Sequence, residues 1–326
     1  MDWAALDRSF RARVALRPAR GRALLHYGAR LLLSLGTLAL AWCGMHLFDA
    51  GPRPLWWLLG GLGMVQCGML GHDLGHGYLG RGRRMRRLVG HLLVTAPTGL
   101  GFDPWCQQHS GHHRRTHHAH DDPDLQVAAL ALSPEHVAAG PAQRVVRRAQ
   151  GLWFWLAPML QPFNMRLDTW VAVLRRPSAV ALLTLGVHYV LWLVLPVALL
   201  GRAPGAVVLD WAAHSALGGI YMAAVFFVNH LGRPTWTGPR PHAMEIALRS
   251  TRNLPGGPLW TVFTAGLNHH AEHHLMPAVP THQLGAVRVA LQGACAEHGV
   301  PYPQQRLLPA LADVYRFVWA QGRQAR

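Results

Sequence analysis

Four long apolar stretches alternate with polar segments along the chain. They cover residues 31–48, 55–71, 179–200 and 207–228. A helix needs about 20 predominantly apolar residues to cross a bilayer, so each stretch is long enough, or nearly so, to span one. Two short turns, 49–54 and 201–206, join the stretches in pairs. The pattern predicts an all-α integral membrane protein whose four transmembrane helices form two hairpins.

Two shorter apolar stretches, 88–102 and 151–163, contain Pro97 and Pro158 and are too short to span a bilayer readily. We expect them to lie along the membrane interface. With the polar segments around them, they would form a helical cap on one side of the membrane.

The composition agrees with a membrane protein, since 51% of the residues are hydrophobic and 14% are charged. All 31 basic residues are arginines, and only Arg53 and Arg202 lie in the two predicted turns. Basic residues favour the cytoplasmic side, which predicts a multi-pass protein of the cell inner membrane with both termini and the cap in the cytoplasm. No helix-turn-helix, zinc-finger or aromatic-studded sheet motif accompanies the net charge of +16, so nucleic-acid binding is not expected.

Three tight histidine clusters stand out among the 22 histidines. The first cluster is His72 and His76, the second is His109, His112 and His113, and the third is His270, His273 and His274. On a helix, these spacings of three and four residues turn the imidazoles toward one side.

Eight imidazoles exceed the needs of a single ion, so the clusters predict a site for two metal ions. Neutral imidazole suits iron, copper, nickel and zinc, and the spacing therefore leaves the metal open. The four cysteines form no C-x-x-C pair and predict neither a disulfide framework nor a redox motif.

The predicted topology brings the clusters to one depth. The first cluster ends the second apolar stretch on its cytoplasmic side, and His230 ends the fourth stretch on the same side. The other two clusters lie in cytoplasmic segments. We therefore expect nine histidines to meet just inside the membrane surface, in a histidine-rich dimetal site held by the cap.

Residues 55–281 resemble the membrane-bound fatty acid desaturase superfamily. The motifs HDLGH, HSGHH and HAEHH resemble its three histidine boxes, and His230 resembles the additional ligand that its members place between the second and third boxes. The sequence DDPD at 121–124 and the motif GLNHHAEHHLMP are similar to the acyl-lipid and front-end branches. His270 departs from the glutamine that many front-end enzymes have at that position.

This resemblance implies a desaturase domain over 31–281, between a cytoplasmic Arg-rich segment (1–30) and a cytoplasmic C-terminal segment (282–326). It implies a centre of two iron ions that uses dioxygen and two external electrons to introduce a double bond into a lipid-, CoA- or ACP-linked acyl chain. The haem-binding HPGG motif of a fused cytochrome b5 is missing from the sequence, so we expect an external donor such as a ferredoxin or a cytochrome b5-like protein.

The same residues are compatible with other functions. A hydroxylase, an acetylenase or a carotenoid ketolase would use the same scaffold. A histidine-rich metal transporter would need ionisable ligands along a path within the spans, whereas these clusters gather at one face.

Several polar neighbours are candidates for positioning the imidazoles, because a metal-binding histidine usually donates its second N–H to a carboxylate or carbonyl. The candidate acceptors are Asp73, Asp122, Asp124 and Glu272. Asn229 could instead hold a metal-bound water. The alternative for each is a solvated carboxylate or a helix cap.

The remaining histidines near the clusters are not expected to bind metal. His269 lies about 100° around the helix from His270 and is predicted to face outward. His117, His118 and His120 follow the second cluster and are predicted to lie in a surface loop.

Overall fold

The computed structural model describes residues 1–16, 20–48, 51–77 and 82–324. These residues are mainly helical and form no strand, which confirms the all-α prediction. Residues 49 and 50 of the first predicted turn lie outside the described residues. The α-helices are α1 Trp3–Arg13, α2 Arg20–His46, α3 Arg53–Gly75, α4 Arg83–Gly90, α5 Ala96–Thr98, α6 Phe102–Arg115, α7 Pro141–Arg148, α8 Gln150–Trp153, α9 Gln161–Arg175, α10 Ala179–Tyr189, α11 Leu195–Ala198, α12 Pro204–His230, α13 Ala243–Ser250, α14 Pro258–Phe263, α15 His270–Leu275, α16 Leu284–Glu297 and α17 Leu307–Gln324.

Single turns of other helix types complete the architecture. π-Helical turns at His91–Thr95 and Val190–Val194 continue α4 into α5 and α10 into α11. 3₁₀ turns at Ala157–Leu160 and Thr281–Gln283 precede α9 and α16. The two short apolar stretches predicted at the interface therefore fold as interrupted helices.

Local sequence explains several helix ends. The Asp2 carboxylate accepts a hydrogen bond from the Ala5 amide at 2.9 Å and so caps the start of α1. The Ser178 hydroxyl caps α10 in the same way. α5 ends at Gly99, whose φ of +73° is a left-handed conformation that a residue with a Cβ adopts rarely.

Within the part of the chain that the structure describes, three helices are long and apolar enough to cross a membrane: Gly21–His46, Ala179–Ala198 and Pro204–His230. They cover most of the first and third predicted spans and all of the fourth. The first helix begins ten residues earlier than the sequence pattern indicated, and the first and third each end two residues earlier. The second predicted span lies in α3, which is 23 residues long and contains six glycines but is not one of these three helices. Large apolar side chains such as Leu32 and Leu183 are 75% and 70% exposed, as expected of helices that face lipid.

The chain divides into two compact units. Unit 1 comprises Met1–Ala19, Gln108–Phe154 and Ala224–Arg326, and unit 2 comprises Arg20–Gln107 and Trp155–Ala223. α6 and α12 each run from one unit into the other.

Unit 1 has two main apolar cores. In the first, Leu6 and Phe10 of α1 pack against Met244 of α13 and against Val287 and Leu291 of α16. The second joins the segment after α6 to α17 through contacts of buried residues: Leu125, Leu130, Leu132, Phe154, Leu231, Val314 and Val318. The first core also includes Ala271 and Leu275 of α15, the helix that carries the third histidine cluster.

Unit 2 is built around α3. α2 packs along α3, and α12 crosses it so closely that a Cβ added at Gly61 would lie 2.7 Å from the backbone nitrogen of Gly218. Arg53 Nη1 donates to the buried carboxylate of Asp210 at 2.9 Å across the same pair of helices. Close approach at small residues is typical of helices that pack within membranes.

Candidate metal centre

The second and third clusters lie on two helices of unit 1. His109, His112 and His113 lie in the last two turns of α6, and α15 begins at His270 and carries His273 and His274. The spacing turns the imidazoles of each cluster to one side of its helix, as predicted.

Three imidazole Nε2 atoms of unit 1 surround the Nε2 atom of His230. The Nε2 atom of His230 lies 3.2 Å from that of His112, 2.7 Å from that of His270 and 3.2 Å from that of His274. The Nε2 atoms of His270 and His274 are 3.3 Å apart. We call these four residues the His230 group.

A second set of imidazoles converges beside the first. The Nε2 atom of His113 lies 3.1 Å from that of His109 and 3.1 Å from that of His273. We call these three residues the His113 group. The rings of His113 and His274 stack with their centroids 4.4 Å apart, so the two groups are neighbours.

These nitrogen–nitrogen distances fit metal binding. Two nitrogens held about 2.1 Å from one metal ion at right angles lie about 3.0 Å apart. Bare imidazole nitrogens repel at that distance unless a cation lies between them. In the His230 group, the Nε2 atoms of His230, His270 and His274 all lie within 3.3 Å of one another. Hydrogen bonds between pairs of imidazoles account poorly for three such short distances at once. The donor set therefore fits a metal ion in each group.

Hydrogen bonds at the opposite ring nitrogen aim the His230 group inward. His112 Nδ1 donates to the Asp122 carboxylate at 2.9 and 3.0 Å, and His230 Nδ1 donates to the Ser250 carbonyl at 3.0 Å. His274 Nδ1 lies 3.3 Å from the Thr116 hydroxyl. A proton fixed on Nδ1 leaves the lone pair of Nε2 free to bind a metal.

The Asp122 carboxylate accepts several hydrogen bonds beside the His230 group. It is fully buried, and besides His112 it accepts hydrogen bonds from the amides of His117 at 2.7 Å and Asp124 at 3.0 Å. Burial opposes its ionisation, but His112 and the His117 amide hold the pKa of Asp122 below its usual range. For His112, burial disfavours the charged ring, yet Asp122 and Asp124 raise its pKa to about 9. The strong attraction within this pair keeps the imidazole in place.

Asp124 is a weaker partner than Asp122. It is exposed, its Oδ2 lies 3.4 Å from His112 Nδ1, and its Oδ1 accepts a hydrogen bond from Gln108 at 2.9 Å.

The first cluster lies at the end of α3 in unit 2. The rings of His72 and His76 are 4.8 Å apart, and His72 Nδ1 lies 3.2 Å from Asp73 Oδ1. The other oxygen of Asp73 accepts a hydrogen bond from Arg30 at 2.6 Å. The structure thus places Asp73 where it can orient His72 while it neutralises a buried arginine.

Comparison with known proteins decides the family. The sequence model described as fatty acid desaturase matches residues 50–306, most of the chain. The chain belongs to the fatty acid desaturase family.

Individual desaturases are similar over long alignments. Fatty acid desaturase 3 of Bos taurus is 27% identical over 303 residues, 91% of this chain and 68% of its own length. The Delta(8)-fatty-acid desaturase of Euglena gracilis is 26% identical over 283 residues, 81% of this chain and 67% of its own. The Acyl-lipid (9-3)-desaturase of Physcomitrium patens is 27% identical over 254 residues, 73% of this chain but only 47% of its own. The predictions of the family and of an oxidoreductase that desaturates fatty acyl chains are confirmed.

The Glu272 carboxylate of the desaturase has other hydrogen-bond partners than the one predicted for it. We expected its carboxylate to accept from His273, but Oε2 accepts from Asn253 Nδ2 at 2.8 Å and Oε1 accepts from the Tyr302 hydroxyl at 2.7 Å. Asn253 Oδ1 in turn accepts from the Ala271 amide at 2.9 Å. Glu272 therefore anchors α15 as a whole. Burial raises its pKa above the usual range.

Asn229 ties α12 to the segment that precedes α15. Its Nδ2 donates to the carbonyls of Val225 at 2.6 Å and Leu267 at 3.2 Å, and it lies 3.3 Å from His270 Nδ1. Its Oδ1 makes no hydrogen bond within the described residues. Its expected contact with a metal-bound water stays a prediction.

Three histidines near the clusters are buried, contrary to expectation. His117 and His118 are 2% and 8% exposed, whereas His120 is exposed as predicted. His117 donates its amide to Asp122 and its Nδ1 lies 3.0 Å from the Pro234 carbonyl. His269 is 9% exposed and does not face outward. Burial lowers the pKa of both His117 and His269 to about 4, so these rings are neutral.

Several residues that shape the centre were not predicted. Ser250 and Thr116 contact it through a carbonyl and a hydroxyl, which no sequence pattern marks. Arg252 is buried and donates to Gln305 at 3.1 Å and to the Ala310 carbonyl at 3.2 Å. Arg252 also donates to the Leu231 carbonyl, and its partners lie 21 to 58 residues away, so only the folded structure identifies its role.

Proposed function

We propose that this protein is a membrane fatty acyl desaturase that uses dioxygen and two external electrons at a centre of two iron ions. The observation that carries the proposal is the convergence of seven imidazoles into two adjacent groups in a chain of the desaturase family. The proposed iron ligands are His72, His76, His109, His112, His113, His230, His270, His273 and His274.

Iron supplies the chemistry that activates dioxygen for removal of hydrogen from an unactivated methylene. The protein's own residues hold the ligands. Asp122, the Ser250 carbonyl and Thr116 fix the rings of His112, His230 and His274, while Glu272 holds α15 at its position. With Nε2 bound to metal and only Nδ1 protonated, the imidazoles would be neutral ligands and would leave the metal ions strongly positive. The Asp122 carboxylate lies at the Nδ1 side of His112, opposite the Nε2 atom that faces His230.

We further propose the four-span topology predicted from the sequence. α3 would form the fourth span with the three apolar helices, and a cytoplasmic helical cap would hold the dimetal site. The placement of nearly all arginines outside the two turns supports both termini and the active site in the cytoplasm, and a location in the inner membrane. The desaturase domain would cover 31–281.

The substrate would be an acyl chain linked to a lipid, CoA or an acyl carrier protein. The electrons would come from a ferredoxin or a cytochrome b5-like protein. The family membership supports an acyl substrate and a membrane setting, and nothing in the site favours nucleic acid.

Mass spectrometry of acyl chains tests the proposal. Cells that express the protein with a ferredoxin system should contain a new acyl species two hydrogens lighter than its precursor. His113→Ala and His273→Ala should abolish this species without preventing membrane insertion, whereas His120→Ala, which changes an exposed histidine outside both groups, should retain it. A product heavier by one oxygen would indicate a hydroxylase, and an acyl product lighter by four hydrogens an acetylenase. A carotenoid that gains one oxygen and loses two hydrogens would indicate a ketolase. Metal uptake into vesicles without any oxygen dependence would indicate a transporter. Full activity in both ligand variants would refute the proposal.

A further inference from the structure

Unit 1 contains a cleft of about 560 Å³ whose lining excludes the histidines of the two imidazole groups. It is lined by residues of α1, the segment after α12, the end of α13, the segment before α17 and α17 itself. Its lining includes Trp3, Arg233, Arg249, Arg252, Tyr302 and Asp313. We call it the arginine cleft.

The arginine cleft carries excess positive charge. Its three arginines face one lining carboxylate, Asp313, which already accepts hydrogen bonds from Gln305 at 2.7 Å and Arg316 at 2.8 Å. Burial lowers the pKa of Arg252 only to about 10, so its guanidinium remains charged at neutral pH. Its Nε atom is buried and makes no hydrogen bond within the described residues.

Arg249 gives the cleft an accessible positive rim. Its side chain is 59% exposed, and its one ion pair, to Glu245 at 2.7 Å, joins residues one turn apart on α13. Such exposed pairs are weak, so the guanidinium can exchange partners. A surface of this kind attracts an anionic partner.

Two lining arginines of the cleft are close in sequence to a residue that contacts the His230 group. Arg249 and Arg252 flank Ser250 and Thr251, and the Ser250 carbonyl accepts the hydrogen bond from His230 Nδ1 at 3.0 Å. The Arg252 amide also donates to the Asn229 carbonyl at 2.8 Å. Ser250, the residue after the lining residue Arg249, therefore connects the cleft to the imidazole of His230 through one hydrogen bond.

Desaturation needs electrons from outside the protein. The balanced reaction is R–CH₂–CH₂–R′ + O₂ + 2 e⁻ + 2 H⁺ → R–CH=CH–R′ + 2 H₂O. The acyl chain loses two hydrogens and two electrons, and a donor must supply the other two electrons that reduce dioxygen to water. The donor therefore needs a docking surface near a ligand.

We propose that the arginine cleft is the docking surface of an acidic one-electron carrier protein and that electrons enter through the Ser250 carbonyl and His230. This inference rests on the proposed function. The carrier gives up one electron at each of two encounters, and the rim arginine orients its acidic face over the cleft. The phosphates of an acyl-CoA nucleotide are the other anionic occupant of suitable size.

Charge reversal at the rim tests the proposal. Arg249→Glu is compared with Arg144→Glu, which makes the same charge change on exposed helix α7 outside the cleft. The full-length, iron-loaded protein in lipid nanodiscs is driven either by an acidic [2Fe–2S] ferredoxin with its reductase and NADPH, or by a small chemical reductant that needs no docking. Arg249→Glu should raise the KM for ferredoxin about tenfold, whereas the Arg144 variant should match the wild type.

Chemically driven turnover distinguishes docking from the chemistry itself. It should be equal in the wild type and both variants and insensitive to salt, whereas ferredoxin-driven turnover should fall as ionic strength rises. If Arg249→Glu leaves the KM for ferredoxin unchanged, or raises the KM for acyl-CoA instead, the docking proposal is wrong.

A binding measurement keeps the two proposals separate. Surface plasmon resonance of ferredoxin on the nanodisc-bound protein should show about tenfold weaker binding for Arg249→Glu alone. If the chemical reductant yields no desaturated product in the wild type, the proposed function fails, and the binding result still decides whether the cleft docks the carrier.

Discussion

Replacing Asp122 by asparagine should weaken the metal site of the His230 group while leaving the His113 group loaded. The carboxylate accepts three N–H groups, from His112, His117 and Asp124. Asparagine has one carbonyl oxygen in place of two carboxylate oxygens. Its NH₂ group would therefore meet at least one of these donors, and the negative charge beside His112 would be lost.

The size of the effect follows from these contacts. A hydrogen bond to a charged group contributes about 1.5–3 kcal/mol, which corresponds to about 10- to 100-fold in affinity. Loss of an outer carboxylate partner of a ligating histidine weakens metal binding by a similar factor. We therefore expect Asp122→Asn to bind one of its two irons about 10- to 100-fold more weakly.

Iron content after titration with a chelator measures this change. Asp122→Asn should lose one iron per chain at lower chelator concentration than the wild type and keep the other. Asp124→Asn is the matched control, because that carboxylate is exposed and 3.4 Å from His112 Nδ1, and its effect should stay within about threefold. Equal iron loss in the two variants, or none in Asp122→Asn, would refute the role assigned to Asp122.

Two further substitutions test the supports of each unit. Tyr302→Phe removes the 2.7 Å hydrogen bond to buried Glu272 and should lower the free energy of unfolding by about 1–3 kcal/mol. The control Tyr315→Phe, at a site that is 46% exposed, should change the free energy of unfolding by less than about 0.5 kcal/mol. Thermal denaturation in detergent checks both, and equal melting temperatures would contradict the account. Gly61→Ala places a Cβ 2.7 Å from the backbone of α12 and should destabilise by about 1–3 kcal/mol, whereas Gly68→Ala meets nothing within 4 Å. Thermostability measured by size-exclusion chromatography should be lower for Gly61→Ala than for Gly68→Ala. Equal stability would show that the helix crossing tolerates a methyl group.

The helices and the imidazole groups could be predicted because their signals are local. Apolar length identifies the spans, and spacing of three and four residues defines the helix face that carries His109, His112 and His113. The second span, in α3, was also identified by its apolar length, but its glycine Gly61 packs against α12, a helix that is distant in sequence. The packing role of α3 becomes clear only when its partner helix is known.

The surroundings of the centre could be predicted only in part. Asp122 lies ten residues from His112, in a turn that directly follows the cluster, and its role was anticipated. Glu272 adjoins His273 in sequence, yet its partners Asn253 and Tyr302 lie 19 and 30 residues away. His117 is polar and follows a helix, which favours a surface loop, but hydrogen bonds to Asp122 and Pro234 bury it. Such tertiary contacts leave no periodic trace in the sequence.

A single-turnover experiment on the purified protein tests the central claim most directly. The protein is loaded with iron, reduced with two electrons per chain, mixed with acyl substrate and exposed to dioxygen, beside a His274→Ala variant. We predict two irons per chain and an oxygen-dependent product two hydrogens lighter than the substrate, absent from the variant. Product formation without iron or dioxygen, or a product that retains an added oxygen atom, would contradict the account.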